Sequence, residues 1–206
     1  MRVVDVEQGT LAWKELRTGV ITGTRLEKVM GTPYAQKSLL NELIAEKIAP
    51  PKYIDSTEAM ERGHFLEPEA ISRYELETGE ITETVGFCLH DEYDWLGLSP
   101  DRFIESGKHY KKAVESKSPD TKTHVGYLIE KSIPKDYQWQ VVQYFLVNEK
   151  LQELDFVTYD PRVTIKSLQI GIITVKRKEL KELDYAMDKL LAFRERWELE
   201  EARLTF

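Results

Sequence analysis

A change of hydrophobic period near residue 84 divides this chain and limits what it can become. Before it, apolar residues recur at helical spacing. From Thr84 to Lys117 they come in short runs broken by polar turns, which is how strands are written. The runs are Val85-Gly86-Phe87-Cys88-Leu89, Trp95-Leu96-Gly97-Leu98, Arg102-Phe103-Ile104 and Ala113-Val114. With Asp91-Glu92-Tyr93-Asp94 and Ser106-Gly107-Lys108 as turns, they predict an antiparallel meander.

Helices are expected on both sides of these strands. Thr10 can cap a short helix carrying Leu11, Trp13 and Leu16, and Thr22 or Thr24 a second one ending at Met30-Gly31. Leu39, Leu40, Leu43, Ile44 and Ile48 predict an amphipathic helix over 36–49, stopped by Pro50-Pro51, and Ser56 to Thr78 reads as a longer helix closed by Gly79. Pro134 opens a helix over 136–149. Two strands follow, 156–159 and 168–175, joined through Asp160-Pro161-Arg162; the second is almost wholly apolar, as a central strand would be. Residues 177–203 predict a terminal helix with Leu180, Leu183, Met187, Leu190, Leu191 and Trp197 facing inward. Without repeats or a dividing linker, the 206 residues are expected to form one α/β domain, a mixed central sheet flanked by helices.

Composition narrows the classes of function. No apolar run approaches the roughly 18 residues of a membrane span. Residues 1–7 show no secretory leader, and a lone cysteine, Cys88, excludes an internal disulfide and a thiolate zinc cluster. The expectation is a soluble, cytoplasmic protein. A formal net charge of −7 sits awkwardly with nucleic-acid binding, unless metal offsets it or Lys and Arg gather on one face.

The residues that carry chemistry centre on Ala113-Val114-Glu115-Ser116-Lys117. In a strand, Glu115 and Lys117 point to one side. If this segment pairs with 102–104 as a hairpin, Asp101 comes close to both. Two carboxylates and a lysine, spaced Asp-x13-Glu-x-Lys after Pro100, match the pattern of the PD-(D/E)xK metal-dependent nucleases. Hard cations such as Mg²⁺ prefer oxygen ligands, so Asp101, Glu115 and the Ser116 carbonyl suit one ion, with Lys117 beside it. On the long helix, Met60, Gly63, Glu67, Ala70 and Tyr74 form a single stripe; a carboxylate there needs an ion-pair partner or a metal. Arg17 and the hydroxyls up to Thr24 surround a loop feeding a helix N-terminus, an arrangement that suits an anion but is also ordinary capping. Gln138, Gln140 and Gln143 crowd one helix, as a solvated face or as functional amides.

Six segments in order resemble the phage lambda exonuclease family, the YqaJ-like viral recombinases: Trp13 to Thr24, Gly63-His64-Phe65-Leu66-Glu67, Leu98-Ser99-Pro100-Asp101, Glu115-Ser116-Lys117, Tyr137-Gln138-Trp139-Gln140 and Tyr159-Asp160-Pro161-Arg162. The resemblance implies a restriction-endonuclease-like core and a Mg²⁺-dependent processive 5′-to-3′ exonuclease on linear duplex DNA, with Mn²⁺ as a substitute ion. The 3′ tails it leaves would pass to a single-strand annealing protein, in the cytoplasm of a bacterial host. It further implies Asp101, Glu115, Ser116 and Glu67 as metal ligands, Lys117 and Gln140 as catalytic groups with Glu67 in support, and Arg17, Thr22 and Thr24 as a 5′-phosphate pocket. Met60 matches the position of an apolar wedge between terminal bases, and the assembly would be a toroidal homotrimer. The run Val141-Val142-Gln143 is one residue longer than the pattern, which leaves Gln143 without a role. An endonuclease with the same core, a DNA-end-binding recombination module with a vestigial centre, and a metal-binding structural protein are the competing readings.

Overall fold

The structure, a computed structural model, describes residues 1–49, 57–104 and 109–204. The expected turn at Ser106-Gly107-Lys108, the stop at Pro50-Pro51 and the helix start at Ser56 lie outside the described residues. In chain order the elements are β1 (Arg2–Val4), α1 (Leu11–Leu16), α2 (Gly23–Met30), α3 (Pro33–Ile48), α4 (Glu58–Thr78), β2 (Thr82–Glu83), β3 (Phe87–Leu89), β4 (Gly97–Leu98), β5 (Arg102–Ile104), β6 (Lys112–Lys117), α5 (Thr121–Glu130), α6 (Lys135–Val147), β7 (Glu153–Tyr159), β8 (Ile170–Lys176) and α7 (Leu183–Ala202).

The helix punctuation follows local chemistry. Thr10, Thr32, Thr57 and Asp120 each accept a main-chain N–H in the first turn of α1, α3, α4 and α5. Pro33 starts α3 three residues before the expected position, where its missing N–H costs nothing. Gly79 ends α4 at φ +73°, a conformation that glycine adopts without strain. Helix α5 was not expected from the sequence. Ile48 is exposed rather than part of the inner face of α3.

The single meander gives way to two sheets. One has the order β1-β3-β4; the other, β2-β5-β6-β7-β8, is mixed, with β6 and β7 parallel and the remaining pairs antiparallel. The chain therefore crosses from one sheet to the other between β2 and β3 and again between β4 and β5. Strand β8, read as central, is an edge strand with alternating exposure, and β7 is the strand buried on both faces. The last helix begins at Leu183, and Ala186, Leu190, Phe193 and Trp197 form its buried stripe, with Leu180, Leu183, Met187 and Leu191 partly covered around them.

The larger sheet separates two cores. On one face Phe103, Ala113, Leu154 and Phe156 pack with residues of α2, α3, α6 and α7. On the other, Ile104, Val114, Val157 and Tyr159 meet Ala70, Ile71 and Tyr74 of α4. Asp155, buried in β7 on that second face, accepts from Tyr74 Oη at 2.7 Å and Thr174 Oγ1 at 2.5 Å and pairs with Lys112 at 2.9 Å. A buried carboxylate so surrounded fastens α4 to the sheet without an unmatched charge. Helix α6 is buried along Val141–Val147, and Gln143 donates to the carbonyls of Ile21 at 2.9 Å and Gly97 at 2.8 Å. Gln143 is therefore an internal tie from α6 to the smaller sheet.

Candidate active site

The site forms where β5 and β6 run out of partners. Arg102 lies opposite Val114, so Asp101, one residue outside the ladder, stands against Glu115, as the hairpin reading expected. Alternation places Glu115 and Lys117 on the α6 face and Ser116 on the α4 face. Helices from both sides then close over one end of the hairpin.

The carboxylates are held differently. Asp101 Oδ2 accepts from Ser116 N at 2.7 Å and Ser116 Oγ at 3.2 Å. Glu115 is buried; its Oε1 accepts from Gln140 Nε2 at 2.5 Å and pairs with Lys117 Nζ, and its Oε2 accepts from Tyr144 Oη. Burial, and then the charge of Asp101, raise the Glu115 pKa against the pull of Lys117. Burial works against the Lys117 ammonium, but Glu115 and Asp101 outweigh it and raise its pKa. The Lys117 Nζ also lies 5.3 Å from the centre of the Tyr137 ring, which walls the amine in. Glu67, on the opposite side, bonds Arg102 at 2.9 Å; its pKa is raised by burial and by Asp101. The ion pair predicted for a carboxylate on that stripe is thus present, and the carboxylate still faces Asp101.

Glu67, Asp101, Ser116, Lys117 and Gln140 line one cleft of ≈ 430 Å³ together with Thr24 and Met60, and Glu115 lies buried beneath it. Gly63, His64 and Tyr137, which lie in the quoted segments without an assigned role, complete the wall with Ser118 and Pro119, which were not singled out by sequence. Gly23 lets α2 come this close, since a Cβ there would sit 2.9 Å from Gln140 Cγ. Arg17 and Thr22 do not line the cleft. Thr22 is buried at the start of α2 and makes no capping bond. Arg17 stacks over Trp13 at 4.3 Å and donates to Ser99 Oγ at 2.7 Å, and Ser99 is two residues from Asp101. It has no carboxylate within ion-pairing reach among the described residues. Burial, with Arg25 nearby, pushes its pKa down to about 10 against the pull of Glu46.

The residue to which sequence reasoning gave no role is Tyr144. Its hydroxyl accepts from Asp101 N at 3.1 Å while donating to Glu115, so it bridges the two central acids. Its spacing of four from Gln140 on α6 was the available signal.

Among the described residues no three His, Cys, Asp or Glu side chains meet to hold an ion by themselves. Mg²⁺ usually takes one or two carboxylates, with water and substrate oxygens completing the shell. Two mutually repelling carboxylates, one of them buried, fit a divalent cation.

Comparison with known proteins gives consistent results. The model of the YqaJ-like viral recombinase domain matches residues 12–150. LHK-Exo, an alkaline exonuclease from Laribacter hongkongensis, superposes with a TM-score of 0.84 at 29% identity, covering 95% of this chain and 96% of that one. Its complex with dAMP gives a TM-score of 0.85 at the same identity and coverage. A phage related exonuclease from Haemophilus somnus 129PT shares the fold at 15% identity and a TM-score of 0.69, over 90% of this chain and 96% of that one. No curated protein matches the chain.

Proposed function

The chain belongs to the YqaJ-like viral recombinase domain family, and from that premise we propose that it is a Mg²⁺-dependent exonuclease. On this reading it shortens one strand of linear duplex DNA from the 5′ end and leaves a 3′ tail for a single-strand annealing partner. One observation carries the reading. Glu67, Asp101, Ser116, Lys117 and Gln140 meet in a single cleft over Glu115, and Arg17, with no carboxylate in ion-pairing reach among the described residues, bonds Ser99, two residues from Asp101. The structural likeness to an alkaline exonuclease supports it.

Asp101, Glu115 and the Ser116 carbonyl would hold the ion, with Glu67 supporting it from α4. Bound there, Mg²⁺, or Mn²⁺ in its place, supplies charge neutralisation at the scissile phosphate and a more acidic water. Lys117 orients that water or offsets developing negative charge, and Gln140 fixes the Glu115 oxygen that Lys117 also touches. Arg17, with Thr24 in the first turn of α2, receives the 5′-terminal phosphate. Met60, half exposed at the cleft, stands where an apolar side chain can press on the end base pair. Each cut regenerates the phosphate that Arg17 holds, which favours processive movement. A trimeric ring around DNA would retain the duplex by topology, and a net charge of −7 then ceases to be an obstacle. The setting is the cytoplasm of a bacterial host.

The test is digestion of linear duplexes with 5′-phosphate or 5′-hydroxyl ends, in Mg²⁺ or chelator. The strand with the phosphorylated 5′ end should disappear first in Mg²⁺ and persist in chelator. Lys117→Ala should lose on the order of 10²- to 10³-fold in rate, and Arg17→Ala should lose the preference for phosphate. Degradation of covalently closed circles would sink the exonuclease reading, and full activity in Lys117→Ala would sink the chemistry.

A further inference from the structure

The two passages between sheets, residues 84–86 and 99–101, lie outside any ladder, so their main-chain groups must find partners in side chains or water. At the second passage the Asp101 N–H donates to Tyr144 Oη at 3.1 Å, and the Pro100 carbonyl accepts from Gln8 Nε2 at 2.8 Å. These two groups belong to one peptide unit. It is therefore gripped at both poles, by Tyr144 from α6 and by Gln8 from the segment after β1. The other amide hydrogen of Gln8 goes to the Val85 carbonyl at 3.0 Å, in the first passage. One side chain thus joins both crossings. Gly86 lets the main chain leading to Gln8 run tightly against the first crossing, because a Cβ at that position would lie 2.2 Å from the Val6 carbonyl oxygen.

We propose that Gln8 is a positioning residue for Asp101, setting the peptide unit from which this carboxylate reaches toward the cation site. The inference rests on the metal-nuclease reading above, because it gives Asp101 a task that a small rotation would spoil. Groups that orient a metal ligand without touching the metal commonly change affinity by about 10- to 100-fold when removed. Gln8 acts on the main chain of Asp101, leaving its carboxylate free to be held by Ser116.

Calorimetric titration of Mn²⁺ into DNA-free protein tests this, with thermal melting of the same samples. Two variants separate the amide from its bulk. Gln8→Met keeps the stem without donors, and Gln8→Asn keeps the amide one methylene too short to span both carbonyls. Wild type should bind Mn²⁺, and both variants should melt cooperatively yet bind about tenfold more weakly. Wild-type affinity in a cooperatively melting variant overturns the assignment of Gln8 alone. Wild type that takes no Mn²⁺ overturns the metal-nuclease reading together with it. Loss of cooperative melting in both variants also overturns the proposal, since Gln8 would then be a determinant of the fold.

Discussion

Tyr144→Phe deletes one oxygen atom from the centre of the site and leaves the ring in place against Phe103. Tyr144 is fully buried, so water does not replace the lost hydroxyl. Two partners are affected. The Asp101 N–H loses its acceptor, and an orphaned buried donor costs about 1–3 kcal/mol. Glu115 Oε2 loses a donor, and a hydrogen bond to a charged group contributes about 1.5–3 kcal/mol. The two losses share one atom and relax together, so the expected net destabilisation is about 2–4 kcal/mol. For a chain of this length that lowers the melting temperature by about 5–15 °C. Urea unfolding with a linear extrapolation measures it, and a cycle with Glu115→Gln isolates the shared contact. The double variant should fall short of additivity by about 1 kcal/mol or more. A Tyr144→Phe protein within about 0.5 kcal/mol of wild type, or strict additivity in the cycle, would refute the bridge between the two acids.

Gly23→Ala should disturb the site more than the fold: its Cβ would press on Gln140 Cγ at 2.9 Å and Cα at 3.3 Å, so cleavage should slow about tenfold while stability falls by about 1 kcal/mol. Unchanged turnover would show that Gln140 moves aside freely. Asp160, buried, accepts from Arg162 Nε at 2.8 Å and Thr121 Oγ1 at 2.6 Å, and these bonds outweigh burial and lower its pKa to about 2. A depressed folded pKa means stability that is present above the unfolded value of 3.8 and lost as pH falls toward about 2. After discounting for the exposed Arg162, Asp160→Asn should cost about 1–2 kcal/mol at neutral pH. Denaturant unfolding at pH 7 and near pH 2 should show that gap narrowing, and a constant gap would exclude the linkage.

The helices with clear end signals were legible in the sequence, among them the end of α4, because a glycine stop acts locally. The Asp101 and Glu115 pairing was legible for a related reason: a short hairpin fixes register with little help from elsewhere. What depends on distant partners was not. Strand β7 was read only from Phe156, yet it begins at Glu153, and Tyr74, Lys112, Thr174 and His124 satisfy Asp155 and Thr158 from other elements. Strand β8 looked central because isoleucines fill it, but Ile172 is 37% exposed at the sheet's edge. The meander reading failed because strand patterns do not say which sheet a strand joins. Helix α5 was missed because Gly126 and the polar Thr121-Lys122-Thr123 weaken its period, while its buried anchor is His124, bound to Thr158 at 2.9 Å and the Leu168 carbonyl at 2.8 Å. In the site, Gln140 was visible as an amide in a motif, whereas nothing in the sequence patterns assigned a role to Tyr144.

The burial of α6 along Val141–Val147 also bears on how the molecule breathes. Backbone amides in such a stretch exchange with solvent hydrogen only when the whole domain opens, whereas an exposed lip such as Met60 and His64 at the start of α4 exchanges through local fraying. Gln140 and Tyr144, the two side chains that grip Glu115, hang from the slow-exchanging helix. Hydrogen exchange should therefore be faster at the doorway of the cleft than in the helix that holds its inner acids.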